Sequence, residues 1–572
     1  MRRLCAVLVA LAAVAAAGKL NPVTTLPDET PVPYSEDVER PETTTLPGTD
    51  GFIVGTVDTV GGSTYDWLAN GPVYRMLCNS DCFGVHVLWM FSASNQTTHP
   101  DRNMRYNFYD YGNESWNWID PDFMQSGVNV FTDRCGYGNL SVEWGADIAT
   151  ATCHFGSGAL TPRLARDLAT GAGIFEYCPG PANWLWPPHA VGLNDWYHVS
   201  LMDDPGRQSI WYARCSTWCD WETPVQVATP TFPTQNICAS VVSEKVAIAW
   251  VVDATSGADP GYYQVSTDGG TSWGSPTQLP YPDAYGGDTL TSFHIASMFP
   301  YYDRTDRLHI AACVMPYVDG TGYVIPADIW HWCPDNTPNW TRIRRAECNP
   351  LNLAAAVGYN AIYACRPSMG EDLHGGLFVT WEEFDSSNVE PGPPERLRAD
   401  IFYAQDNGDN GQSWMPAVKI TDRNTTTKRF PSSIGYIADR DSFYVTYIID
   451  QQAGFFVQGE GSATNNPIVV HKVPLQTGIK HEEQLPHAAR LAVASNPAAG
   501  RARLDYALPR DCRVKLAVYD LAGRPAALVE EGHRAAGRHH AVWRAQGLSP
   551  GVYVAKLTAG AEVLTRKLIL TE

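Results

Sequence analysis

The chain is 572 residues long with a formal net charge of −20, and it is 18% charged and 11% aromatic, with 19 Trp, 27 Tyr, 48 Gly and 41 Pro. A chain this acidic lacks the basic stripe that phosphate backbones require, which excludes nucleic acid as a partner and argues equally against anionic membrane surfaces. Many turn formers and aromatics, with no long amphipathic helical pattern, predict an all-β protein.

The N-terminus reads as an export signal over residues 1–17. Arg2 and Arg3 form the basic start, an apolar run follows, and Ala15-Ala16-Ala17 offers a small-residue cleavage site before Gly18. No other segment is long and apolar enough to cross a bilayer, so an integral membrane protein is not expected. Residues 18–50 are Pro- and Thr-rich with scattered acids, which predicts an extended leader.

From 51 to 475 one theme returns seven times: a short β-run ending near an aromatic, a gap, then a second β-run leading to a turn. Examples are Gly84 to Trp89 with Met104 to Tyr109, Trp196 to Leu201 with Ser209 to Arg214, and Val246 to Trp250. Repeats of about sixty residues suit four-stranded propeller blades. The segment from Gly51 to Val60 is strand-like and could complete the last unit, removing an open sheet edge. Six units remain an alternative, because the second is the least regular.

Turns after these runs carry a repeated motif. Ser266, Asp268, Gly270 and Trp273 form S-x-D-x-G-x-x-W; Asp409, Gly411 and Trp414 form a second copy; Asp335 and Trp340 form a degenerate third. The Asp can bind backbone N–H groups across the turn, the Gly supplies a positive φ, and the Trp buries a large apolar face. The motif resembles the Asp-box, or BNR repeat, of sialidase-like β-propellers. That resemblance implies a seven-bladed (alternatively six-bladed) propeller with the boxes on outer turns, away from any central pocket.

A polar linker over 476–488 leads to a region that is richer in basic residues, with Arg501, Arg503, Arg510, Arg513 and Lys515. Its alternating runs predict a small β-sandwich over 489–572. The Asn496-Pro497 start, the Val518-Tyr519-Asp520-x-x-Gly523-Arg524 hairpin, the Leu548-x-x-Gly551-x-Tyr553 strand and the basic-apolar last strand resemble, in order, the C-terminal sorting domain of type IX secretion cargo. The resemblance implies an Ig-like fold, recognition by type IX-like secretion machinery, and a secreted or outer-surface location reached through the periplasm.

The chain has 14 Cys. In an exported protein these suggest disulfides, with Cys78–Cys82 and Cys215–Cys219 as local candidates. Neither pair is joined by a second pair at zinc spacing, so no metal is expected, and no cofactor motif is present. His86, His198, His294 and His309 lie on separate β-runs and read as half-buried strand residues.

Arg75, Arg366 and Arg429 fall where innermost strands are expected, and the last two share an R-x(0,1)-P-S pattern. Guanidinium forks suit an anionic ligand, so these three are the candidate ligand-binding residues. The early F-R-I-P motif of sialidases is missing, and the catalytic residues are unknown. Tyr363, Tyr447, Glu382, Glu383 and Asp81 read more simply as packing or loop residues. Three readings follow. The first is a glycan- or surface-protein-binding propeller, the second an exo-sialidase-like glycoside hydrolase with a diverged site, and the third a structural surface-layer component.

Overall fold

The computed structural model describes residues 53–571, apart from 70–73, 81–82, 156–159, 181–183, 205, 232, 255, 287–288, 297, 347–354, 437–440, 477–488, 495–497, 510–511, 535–536, 546 and 561. The expected signal, leader and linker, the candidate residues Asp81 and Cys82, and the Asn496-Pro497 start lie outside the described residues. Strands dominate the rest, and the only helices among the described residues are short 3-10 turns. No described helix is long and apolar enough to cross a membrane.

Residues 56–474 form seven antiparallel sheets that follow one another along the chain, numbered here 1 to 7. Sheet 1 shows the common pattern, Leu77–Ser80, Gly84–Phe91, Asn103–Asp110 and Ser115–Trp116, each strand beside the next. The second strands, such as Gly84–Phe91 and Val246–Val252, are near-continuous apolar runs. Both of their faces are covered by neighbouring sheets, so alternation is lost. The fourth strands of sheets 1 to 6 are only two to six residues long and mostly exposed or half-buried.

The first strands face one another at the middle of this region. They are Leu77–Ser80, Leu140–Glu143, His189–Val191, Pro233–Ala239, Phe299–Tyr302, Ala364–Glu371 and Thr427–Ser433, and each packs against the next. The last returns to the first: Met76 N donates to Ser432 Oγ at 2.8 Å, and Arg75 Nη1 donates to the Ser433 carbonyl at 3.0 Å. Thr56–Ser63 pairs antiparallel with Asn466–Pro474, so the start of the chain supplies the outer strand of sheet 7. This is the organisation of a β-propeller, and the early strand does complete the last unit.

Apolar clusters fill the spaces between sheets. One contains Trp89, Tyr106, Phe378 and Phe443, and another Trp381, Ile362 and Phe384. Burying side chains of this size removes about 1.5–3 kcal/mol of apolar exposure each, which offsets the entropy of ordering so many short strands.

The boxed turns clip one sheet to its predecessor. Asp268 Oδ1 accepts from Ser272 N at 2.8 Å and Asp268 Oδ2 from Ser272 Oγ at 2.6 Å, while Gly270 N donates to Ser266 Oγ at 2.8 Å. Trp273 lies edge-on to Tyr212 of sheet 3, with ring centroids 4.9 Å apart. In the second copy Asp409 binds Ser413 in the same way, and Asp406 takes the place of Ser266 by accepting from Gly411 N at 3.0 Å. Trp414 packs on His331 of sheet 5. In the degenerate copy Asp335 is exposed, and it is Asn339 that closes the turn by donating to the carbonyls of Cys333, Pro334 and Asn336. A neutral amide does there what the carboxylate was expected to do.

Cysteine pairing also differs from expectation. Cys219 bonds to Cys178, 41 residues earlier, and Cys215 is buried as a free thiol. A three-residue loop between Cys215 and Cys219 leaves Cys215 in the strand Ile210–Cys215, while Cys219 reaches the outer strand of sheet 2. The bond therefore joins two sheets instead of closing one loop.

Residues 490–571 form a three-stranded and a five-stranded sheet. Both contribute to one core that includes Leu504, Tyr506, Leu516, Trp543, Leu557 and Leu568.

Candidate functional site

The first strands enclose a central cavity of about 80 Å³ that opens to solvent. Sheets 1 to 5 and the segment after the first strand of sheet 7 all contribute to its wall. These short strands are almost wholly buried, and their inner faces meet around this space.

Arg75, just ahead of the first strand of sheet 1, is one of its lining residues. Nη1 donates to the Ser433 carbonyl and Nη2 to the Met369 carbonyl at 3.2 Å, which spans sheets 6 and 7. The guanidinium lies over Phe299 at 5.0 Å and Tyr301 at 5.9 Å. Gly435 leaves it room, since a methyl there would come within 3.0 Å of Nη1. Among the described residues no carboxylate forms an ion pair with Arg75, so its charge is held by carbonyl dipoles and ring faces alone.

Asn79, four residues on, lines the same cavity and is 1% exposed. Neither its amide nitrogen nor its amide oxygen has a hydrogen-bond partner. A buried amide left unpaired costs about 1–3 kcal/mol, and no described protein group offsets that cost here.

Other polar wall residues are satisfied from within. His189 is fixed between Asn139 Oδ1 at 2.7 Å and Thr150 Oγ1 at 2.9 Å, and burial pushes its pKa down to about 3. It is a neutral structural imidazole. Tyr301 donates to the Gly435 carbonyl at 2.9 Å and Tyr436 to the Tyr302 carbonyl at 3.2 Å. Burial raises both phenols, so neither is a ready base. Trp144 lies edge-on to Tyr436 at 5.1 Å. Behind them Glu371 accepts from Arg304 N and pairs with Arg304 Nε at 3.3 Å, and burial pushes it up to about 8.

Arg366 and Arg429 lie elsewhere. Both pair with Glu382, Arg429 Nη2 at 3.0 Å and Arg366 through Nη1, and Phe430 N donates to the other oxygen at 2.7 Å. Burial works against the Glu382 charge, but the two guanidiniums outweigh it and hold the carboxyl at about 2. Both arginines are at most 3% exposed. Arg366 lines a second, mainly apolar cavity of about 20 Å³ with Tyr74, Tyr447 and Phe430. The R-x(0,1)-P-S pattern marks a strand bulge: pairing slips between Cys365 and Ser368 and between Arg429 and Ser432. Arg366 and Phe430, each directly before Pro, have φ of 56° and 57°. The equivalent positions are thus Arg366 with Phe430, not Arg366 with Arg429.

Tyr447 bonds to His471 at 3.1 Å, Tyr363 is buried, and Glu383 pairs with Arg344 at 2.9 Å. A tyrosine–carboxylate contact that sequence reasoning missed joins Tyr197 to Glu143, which is itself held by Arg166. It is enclosed between sheets 2 and 3 and does not line the central cavity. His86, His198 and His309 bond to Tyr106, Tyr212 and His331 within their own sheets. No metal-binding group of three or more His, Cys, Asp or Glu occurs among the described residues.

Asn79, Asn139, Tyr301 and Tyr436 escaped sequence reasoning. The available signal was an asparagine opening the units of sheets 1, 2 and 4, at Asn79, Asn139 and Asn236, ahead of each strong apolar run.

No protein-family model matches the chain, and no curated protein does. Among solved structures it resembles an ulvan lyase of polysaccharide lyase family PL25, determined with -[GlcA(1-4)Rha3S]- bound, at 10% identity and a TM-score of 0.44, covering 75% of this chain and 98% of that one. A Hadza microbial sialidase matches at 10% identity and 0.34, covering 68% and 75%. The GH93 α-L-arabinofuranosidase of Fusarium graminearum, in complex with arabinobiose, matches at 11% and 0.35, covering 59% and 93%.

Proposed function

We propose that the protein is an exported, glycan-binding propeller of seven blades, and that its ligand is an acidic sugar held in the central cavity by Arg75. The observation that carries this reading is the juxtaposition of an unmatched guanidinium with the unbonded amide of Asn79 on one cavity wall. Guanidinium offers a planar fork for a carboxylate, an amide pairs with a hydroxyl or carboxylate oxygen, and aromatic walls suit sugar faces. Arg366 and Arg429 belong to the scaffold in this reading, because Glu382 already saturates them.

Seven successive first strands support seven blades over six. The two sheets sharing one core after residue 489 support an Ig-like sandwich. The Cys178–Cys219 bond supports an oxidising compartment and hence export. Type IX-like sorting through residues 489–572 belongs to the same proposal; a deletion of these residues that is still secreted normally would remove it.

Binding without turnover is favoured over hydrolysis. Among the described residues no tyrosine of the central cavity wall pairs with a carboxylate, and the phenols of Tyr301 and Tyr436 donate to backbone carbonyls. The test is a glycan array combined with a fluorogenic sialoside assay. Retention of uronate- or sialate-bearing glycans without product is expected. Turnover would make the protein a glycoside hydrolase, and silence in both assays, with self-assembly of the purified chain, would make it a structural surface component.

A further inference from the structure

Charge is divided very unequally along the chain. Residues 489–572 hold 13 Lys and Arg against 7 Asp and Glu, a net +6, which leaves −26 on the residues before them. Part of this positive charge is gathered on one sheet face. In the strand Arg501–Leu508, Ala502, Leu504, Tyr506 and Leu508 enter the core, so Arg501 and Arg503 project from the other side. Neighbouring strands extend that side: Arg490 stands opposite Ala507, His540 opposite Asp505, and Arg544 directly opposite Arg501.

Arg490, Arg501, Arg503, His540 and Arg544 are exposed. The one acid among them, Asp505, is 5% exposed and paired to Arg503 at 2.7 Å. Arg501 and Arg544 have no acidic partner among the described residues. Like charges facing each other across an antiparallel pair are destabilising, so an arginine pair placed there without a carboxylate points to a negative charge supplied from outside. Val542 stands half exposed between the arginines on this face. At about 6.7 Å for every second residue, its cations form an array that an extended polyanion matches better than a single small ion.

We propose that this face binds an anionic polysaccharide, a polymer bearing carboxylate or sulfate groups along an extended chain. The disulfide between sheets 2 and 3 indicates an oxidising compartment, where acidic polysaccharides are the ordinary polyanions. The proposal stands apart from the central cavity and does not need Arg75.

The experiment uses the full chain on immobilised polygalacturonate and heparin, with anionic phospholipid vesicles and a short DNA duplex as competitors, at salt between about 50 and 300 mM. Retention that falls with salt, and an Arg501→Glu/Arg544→Glu variant weakened by about tenfold or more with unchanged thermal unfolding, are expected. Arg75→Ala retains binding to these polymers. Polygalacturonate against heparin separates carboxylate from sulfate as the group recognised. No retention of the wild type at low salt, unchanged retention of the double variant, or competition by vesicles or DNA at concentrations equal to the polysaccharides would each overturn the proposal.

Discussion

Glu382 carries two arginines at once, and the strands around it are built to make that contact. Arg366 and Arg429 stand on adjacent first strands, each at a bulge next to a proline, and the carboxylate between them is fully buried. Removing one partner from such a set leaves charge uncompensated in a dry site, which costs about 3–5 kcal/mol. Glu382→Gln is therefore expected to lower unfolding free energy by about that amount in chemical denaturation. Ligand binding at Arg75 should survive in the fraction that remains folded. The pattern around Arg366 and Arg429 was legible in the sequence because proline and arginine mark it. Its role was not, because the neutralising glutamate sits 16 residues from one arginine and 47 from the other. Asn79 was illegible for a related reason: an unbonded amide is a property of what fails to surround it.

At the level of elements, the boxed turns show why a local motif can report a distant contact. Gly270 has φ of 85° and Gly411 of 74°, and a methyl at either would meet the Tyr212 hydroxyl at 2.0 Å or the His331 ring at 2.3 Å. The glycine serves the backbone and the approach to the preceding sheet together. Gly270→Ala and Gly411→Ala are each expected to destabilise by about 1–3 kcal/mol, measured as a shift in denaturant midpoint. An Ala variant at exposed Gly286, also at positive φ but with open space around it, should cost less, about 1 kcal/mol. Trp273 and Trp414 were visible in sequence because their spacing from the Asp is fixed by the turn. The first strands of the sheets were not: Leu77–Ser80 and His189–Val191 are four and three residues long, below the length at which alternation can be read. Asp335 misled because spacing alone preserved the outline of a turn whose hydrogen bonds had passed to Asn339.

For the whole molecule, closure and protonation set the stability. The Cys178–Cys219 link closes a 41-residue loop across two sheets. Replacing both cysteines by Ser is expected to cost about 2–4 kcal/mol, read as a lower Tm in non-reducing buffer.

Eight described histidines are buried in the neutral form, with pKa values pushed down by burial, to about 3 for His86, His154, His189, His198 and His294. Below about 6.5 the unfolded chain takes up protons that the folded chain refuses, so their contribution is full above that pH and is lost as pH falls. Burial also raises seven carboxyls, among them Glu371 to about 8 and Asp66, Asp167 and Asp406 to about 6, and these act oppositely, losing stability as pH rises. His309 is buried against its charge, yet Asp303 and Cys333 raise it to about 9, so its contribution is lost as pH rises through that value and is present in full below pH 6.5. The eight histidines outnumber the seven carboxyls only narrowly, so a modest fall in Tm is expected from pH 6.5 to 4; a Tm that rises over that range would contradict the buried neutral imidazoles.

The propeller itself was legible because its unit recurs, and a repeated turn is a stronger signal than any single strand. The ligand site was only partly legible, since Arg75 is held at it by carbonyls of sheets 6 and 7 that lie 294 and 358 residues away in sequence.

The most direct test of the central claim is calorimetric titration of the full chain, carrying Arg501→Glu and Arg544→Glu to silence the basic sheet face, with a uronic-acid oligosaccharide and its carboxyl-reduced, neutral counterpart. The account predicts binding of the acidic form alone, weakened by about tenfold or more in Arg75→Ala and not restored by Arg75→Lys. Equal binding of the neutral oligosaccharide, or unchanged binding by Arg75→Ala, would contradict it.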